Sequence, residues 1–191
     1  MFKCFSACGL PEIFALKDYE GIYPCMHETG PEIRFDPNCP NENRPDAPVS
    51  YRKHHFLAYS KESWVDSNSE SIPDDKCVIA NYYWWGHYKF FRPHPDGNIK
   101  MESGGYKQGT EYHFQAIDTG NGKIKILSSK DNKLVEKKPH NDHFHLYASG
   151  DQNTCGETCI FTLEDHSDYA PPGLFKLNLL LFTVQGIFIL N

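Results

Sequence analysis

Three histidines carry the most metal-like spacing in the chain. In His140-x-x-His143-x-His145, a strand would put His143 and His145 on one face, and a turn would fold His140 over them. Imidazoles so gathered bind zinc or copper, with Asp142 the one nearby carboxylate that can join them. The same spacing also suits ordinary surface and core histidines. A second group is cationic. Lys123, Lys125, Lys130, Lys133, Lys137 and Lys138 fall within residues 122–138, which hold six lysines against two acids. Clustered ammonium groups attract an anionic surface, and a solvated strand face would look alike in sequence. A third group, Tyr82-Tyr83-Trp84-Trp85-Gly86-His87-Tyr88, offers Trp84 and Trp85 as a sugar-stacking platform or as core packing. Cys155-x-x-x-Cys159 lacks the two-residue spacer of a redox or zinc-ribbon motif. There is no phosphate-binding loop, nucleophile elbow or dinucleotide fingerprint, so no catalytic residue and no cofactor are expected.

The elements that must position these groups read as short strands. In 191 residues, 14% aromatic with 14 Gly and 13 Pro, no stretch shows sustained helical periodicity. Apolar runs at Ile13–Leu16, Ile33–Phe35, His55–Tyr59, Cys77–Tyr82, Ile99–Met101, Tyr112–Ala116, Ile124–Ile126, His145–Ala148 and Cys159–Glu164 alternate with turn signals such as Pro95-Asp96-Gly97 and Gly120-Asn121-Gly122. Residues 36–48 contain four prolines and read as a surface loop. The formal net charge of −6 excludes a nucleic-acid binder driven by global charge. The seven cysteines, with no apolar leader after Met1-Phe2-Lys3-Cys4, are expected mostly reduced as small buried hydrophobes, with a disulfide framework as the alternative.

The strands also repeat. Aligning the turn glycines Gly21, Gly86 and Gly122 brings similar apolar strands into register before each. Three units of about four strands follow, at 12–76, 77–111 and 112–165, behind an N-terminal extension (1–11) and before an apolar tail (166–191). Self-similarity at this period makes the repeat the unit of folding, and three four-strand units make an all-β, β-trefoil architecture. The tail, apolar from Leu174 to Leu190, is short for a spanning helix and suits an extra strand pair, with a membrane anchor as the alternative.

Phe114-Gln-Ala-Ile-Asp-Thr-Gly-Asn-Gly-Lys-Ile-Lys-Ile resembles the start of a fascin-like trefoil repeat, and Cys159-Ile-Phe-Thr-Leu-Glu resembles its closing strand. Leu146-Tyr-Ala-Ser-Gly through Cys159-Ile-Phe is also similar to the last unit of fibroblast-growth-factor-like trefoils. Ile124 departs from the aromatic that fascins prefer, and the Gln-x-Trp of ricin-type lectins is absent. The resemblance implies a non-enzymatic, cytoplasmic binding module that uses the lysine strip on an anionic partner. An actin filament is the first candidate and a glycan the next. The alternatives are a secreted growth-factor- or cytokine-like ligand with disulfides, and a metal-dependent enzyme built on the three histidines.

Overall fold

A computed structural model describes residues 8–17, 24–25, 33–35, 56–60, 72–83, 87–103 and 109–167. Twelve strands follow in order: β1 (Ile13–Lys17), β2 (Pro24–Cys25), β3 (Arg34–Phe35), β4 (Phe56–Ser60), β5 (Cys77–Tyr83), β6 (His87–Pro93), β7 (Ile99–Ser103), β8 (His113–Gly120), β9 (Lys123–Ser128), β10 (Lys133–His140), β11 (His143–Gly150) and β12 (Phe161–Asp165). Among the described residues, no helix is long and apolar enough to cross a membrane.

Six of the strands close on themselves. The antiparallel pairs β1–β4, β4–β5, β5–β8, β8–β9, β9–β12 and β12–β1 form a complete ring. Closure leaves the ring with no open edge to protect. The other six make the hairpins β2–β3, β6–β7 and β10–β11. β11 ties the hairpins together: it pairs with β3, and Tyr147 bridges Asn98 beside the β6–β7 turn. A closed six-strand barrel with three hairpins is the β-trefoil expected from the repeats.

Alternation is clearest in β9, whereas β1 is buried on both faces along most of its length. In β9, Ile124 and Ile126 are buried while Lys123 and Lys125 face outward. Phenylalanines from different units meet inside. Phe56 packs on Phe14 at 5.6 Å and edge-on against Phe91 at 5.1 Å, and Phe91 meets Phe114 at 6.1 Å between ring centres. The Asn121-Gly122 turn between β8 and β9 has φ of 56° and 71°, the positive pair that a tight hairpin of correct twist requires.

That turn shifts a repeat boundary. Counted by strands, the units run Ile13–Ser60, Cys77–Gly120 and Lys123–Asp165. β8, assigned by sequence to the third unit, is the fourth strand of the second. An apolar strand, a tight turn and another apolar strand occur both within units and between them, and the sequence pattern does not distinguish the two.

The N-terminal extension is likewise more than peripheral. Cys8 and Leu10 are buried, and the Cys8 carbonyl accepts a hydrogen bond from the Ala116 amide at 2.8 Å. Cys8 is disulfide-bonded to Cys77, 69 positions away, and Cys155 to Cys159. The expectation of reduced thiols fails for these four. Sequence could not pair Cys8 with Cys77, because only barrel closure brings the first described segment against β5. The proline-rich loop at 36–48 and the apolar tail beyond residue 167 lie outside the described residues.

Crosslinking so long a loop removes denatured-state entropy worth roughly 4 kcal/mol in the chain-entropy account. Thiol titration of the unfolded, unreduced chain should therefore find no more than three of the seven cysteines reactive, and reduction should lower the unfolding midpoint. Seven reactive thiols would remove both bridges.

Candidate functional site

The six lysines do not form one strip. β9 and β10 pair only at Ser128↔Lys133 and Leu127↔Leu134, then diverge, so Lys137 and Lys138 leave the barrel wall on the β10–β11 hairpin. Lys137 is 4% exposed; its Nζ donates to the Ile160 carbonyl at 3.2 Å and lies 5.3 Å from the Phe161 ring centre. It is a packing residue, which corrects its assignment to a ligand face. Lys130 donates to the Pro93 carbonyl at 3.2 Å and Lys125 to the Cys155 carbonyl at 3.1 Å. Lys138 sits 3.8 Å from Glu136 and over the Tyr147 ring. Lys123 and Lys133 make no ion pair among the described residues. Beside Lys125, across the β8–β9 ladder, stands Ile117, the one large hydrophobic exposed among the described residues. Trp84 and Trp85 lie outside the described residues.

The histidines do come together. They occupy the tip of the β10–β11 hairpin, where Asn141 takes φ of 55° and lets His140 face His143 across a two-residue turn. His145 follows on the same face. One ring nitrogen from each of the three lies within 4.8 Å of the other two. His143 Nε2 is 2.9 Å from His145 Nε2, and the His140 ring stacks on His145 at 4.1 Å. His143 Nδ1 is 2.8 Å from Asp142 Oδ1, and this contact holds the Asp142 carboxyl below its usual range. His143 and His145 are buried, whereas His140 is exposed.

A second polar cluster was not anticipated from sequence. Glu102 on β7 accepts two hydrogen bonds from Arg92 on β6, at 2.9 and 3.1 Å, and one from the Tyr112 hydroxyl at 3.0 Å. His94 Nε2 lies 2.9 Å from its other side. Burial alone would raise the Glu102 carboxyl, but the hydrogen bonds from Arg92 and Tyr112, helped by the charges of Arg92 and His94, hold it below its ordinary value of 4.5. Tyr112 is pushed up to about 12, by burial first and then by its bond to Glu102. Burial lowers the neighbouring His113. The residues come from β6, the turn after it, β7 and the 3₁₀ turn Thr110–Tyr112, so no local motif announces them.

No family model matches the chain, and no curated protein matches it. Among solved structures it is similar to Cry35Ab1, with a TM-score of 0.57 and 11% identity over 81% of this chain and 36% of that one. It is similar to ThreeFoil, a designed 3-fold symmetric protein, at 0.53 and 12% over 81% and 99%. The cytolethal distending toxin of Haemophilus ducreyi follows at 0.52 and 9%, over 80% and 82%. These are β-trefoil-like folds, so the chain belongs to the β-trefoil class. At such identities the likeness establishes the fold alone, and this chain spans little more than a third of Cry35Ab1.

Glu102 binds protons more weakly in the fold than in the unfolded chain. Its stabilising effect is therefore full above pH 4.5 and is lost as pH falls through the lowered folded value. Glu102→Ala should cost about 1–3 kcal/mol at pH 7, because it strands the Arg92 and Tyr112 donors. The deficit should shrink in denaturant titrations run at progressively lower pH. A deficit independent of pH would show that the carboxylate charge does not matter.

Proposed function

We propose that this trefoil is a non-enzymatic binding module that holds an anionic glycan, sulfated or uronate-bearing, on the outer wall formed by β8, β9 and β12. The observation that carries this reading is the alternation of β9. Ile124 and Ile126 fill the barrel, and Lys123 and Lys125 are turned outward beside the exposed Ile117. An apolar side chain flanked by ammonium groups suits a sugar ring bearing acidic substituents. The barrel interior is filled by phenylalanines, which favours surface recognition over an enclosed substrate. Lys133, at the far end of the β9–β10 turn, extends the positive potential.

The actin-filament reading, drawn from the fascin-like resemblance, uses the same lysines in the cytoplasm. The two disulfides weigh against it, because such bonds persist in oxidising compartments. They favour the glycan, and they equally suit a secreted ligand that meets glycans outside the cell.

The test is retention on an immobilised sulfated polysaccharide across a salt series, run beside co-sedimentation with actin filaments. Retention at low salt is expected. It should weaken roughly tenfold or more in Lys123→Glu/Lys133→Glu, at about 1 kcal/mol per charge near an anionic surface. Pelleting with filaments, lost on the same reversals, would replace the glycan by the filament. Failure of both arms, or indifference to the reversals, would sink the reading.

A further inference from the structure

We infer that the tip of the β10–β11 hairpin is a binding site for a borderline divalent transition cation, zinc or copper, with His143 and His145 as its primary ligands and His140 as the third.

The backbone supplies the first argument. His140 and His143 are opposed residues of an antiparallel ladder, and His145 is two residues further along the same face. Antiparallel pairing and strand alternation thus aim all three rings at one point without any long-range fold contact.

The second argument is the meeting of His143 Nε2 and His145 Nε2 at 2.9 Å. A tetrahedral zinc ion with Zn–N bonds of about 2.0–2.1 Å needs its ligand nitrogens roughly 3.3 Å apart. Opening the pair by a few tenths of an ångström suffices. Without a metal, the contact needs one nitrogen to donate its proton to the other. With one, both present lone pairs to the ion.

The third argument is Asp142. Its carboxylate faces His143 Nδ1 at 2.8 Å, which keeps the proton on that nitrogen and directs the lone pair of Nε2 toward His145. A carboxylate behind a histidine ligand is the arrangement that fixes ring orientation and raises ligand basicity at metal centres. Here a single two-residue turn provides it.

The surroundings allow a dication. Lys138 is opposite His145 in the ladder, but its ammonium group is drawn toward Glu136 and the Tyr147 ring. Arg34 is opposite His145 on the other side, and it interacts with the Asp142 carboxylate. His140 is exposed, so it can turn its nitrogen inward from the stack on His145, and solvent can complete the coordination sphere. Imidazole donors select zinc and copper over magnesium and calcium, which prefer oxygen. Bound metal would clamp the two strands at their free end, where β11 also pairs with β3.

Calorimetry with zinc alone, on metal-stripped full-length protein, tests the site. One equivalent should bind, and calcium should give no heat. Cobalt substitution should produce the visible d–d absorption of a low-coordinate nitrogen site. His140→Ala, at an exposed position, and Asp142→Asn, behind His143, should each weaken zinc at least tenfold. His143→Gln/His145→Gln should abolish binding in protein shown by circular dichroism to be folded. If those buried changes prevent folding, His140→Ala and Asp142→Asn decide alone. Absence of stoichiometric binding, or zinc affinity unchanged in His140→Ala and Asp142→Asn, would overturn the assignment.

Discussion

The pairing of β1 with β12 is the contact on which the remaining structure depends. Phe14, Ala15, Leu16 and Lys17 run opposite Asp165, Glu164, Leu163 and Thr162, joining strands separated by nearly the whole described chain. Lys17 is ion-paired with Glu164, and the His166 amide donates to the Ile13 carbonyl at 2.9 Å. Without this seam, β1 and β12 would each show water a row of unpaired amides, and the phenylalanines that fill the barrel would lose one wall. The loop-closure cost of so distant a pairing falls late in folding and is repaid only by the assembled core. The Cys8–Cys77 bridge bears on the same problem, since it ties the segment before β1 to β5 and so limits how far that end of the ring can open.

Closure also limits where function can reside. A filled barrel offers its outer wall, its hairpins and its loops, and the two proposed sites use the first two of these. They differ in what positions them. The lysines on β9 stand outward because the isoleucines between them must stand inward, so that face is a by-product of core packing. The histidine tip is set by the β10–β11 ladder and its turn, on a hairpin whose Val135, Leu146 and Ala148 enter the core and whose β11 is anchored on β3 and on Tyr147↔Asn98.

This difference explains what was legible in the sequence. Strand alternation and turn residues are local, so the runs at Ile13, His55, Cys77, Ile99 and His145 all reappear as strands. The histidine gathering was legible for the same reason, through an i, i+2 pair and a short turn. The burial of Lys137 has a local signal: it falls on the side of Val135 in β10, two residues away. The Cys8–Cys77 bridge and the Glu102 cluster had none, because their partners meet only after separate elements are packed. The sequence pattern puts the boundary between the second and third units at 111/112 rather than at the Asn121-Gly122 turn, because a within-unit and a between-unit hairpin are built from the same turn chemistry.

The two polar clusters show how a structural group is told from a functional one. At Glu102 one carboxylate takes donors from Arg92 and Tyr112 with His94 Nε2 2.9 Å away, so both its oxygens are engaged and little acceptor capacity is left for a ligand. Such a cluster ties together β6, β7 and the turn at Tyr112, whose hydroxyl is pushed up to about 12 by burial and by its bond to Glu102. At the hairpin tip the arithmetic is different. Three imidazoles converge, two of them present the same atom type to each other, and among the described residues the carboxylate in contact with them, Asp142, stands behind His143. Without a cation, the His143–His145 contact requires one ring to be the tautomer that donates; a cation between them would take a lone pair from each. The convergence is hard to account for as packing, since apolar residues would fill a buried hairpin face at lower desolvation cost.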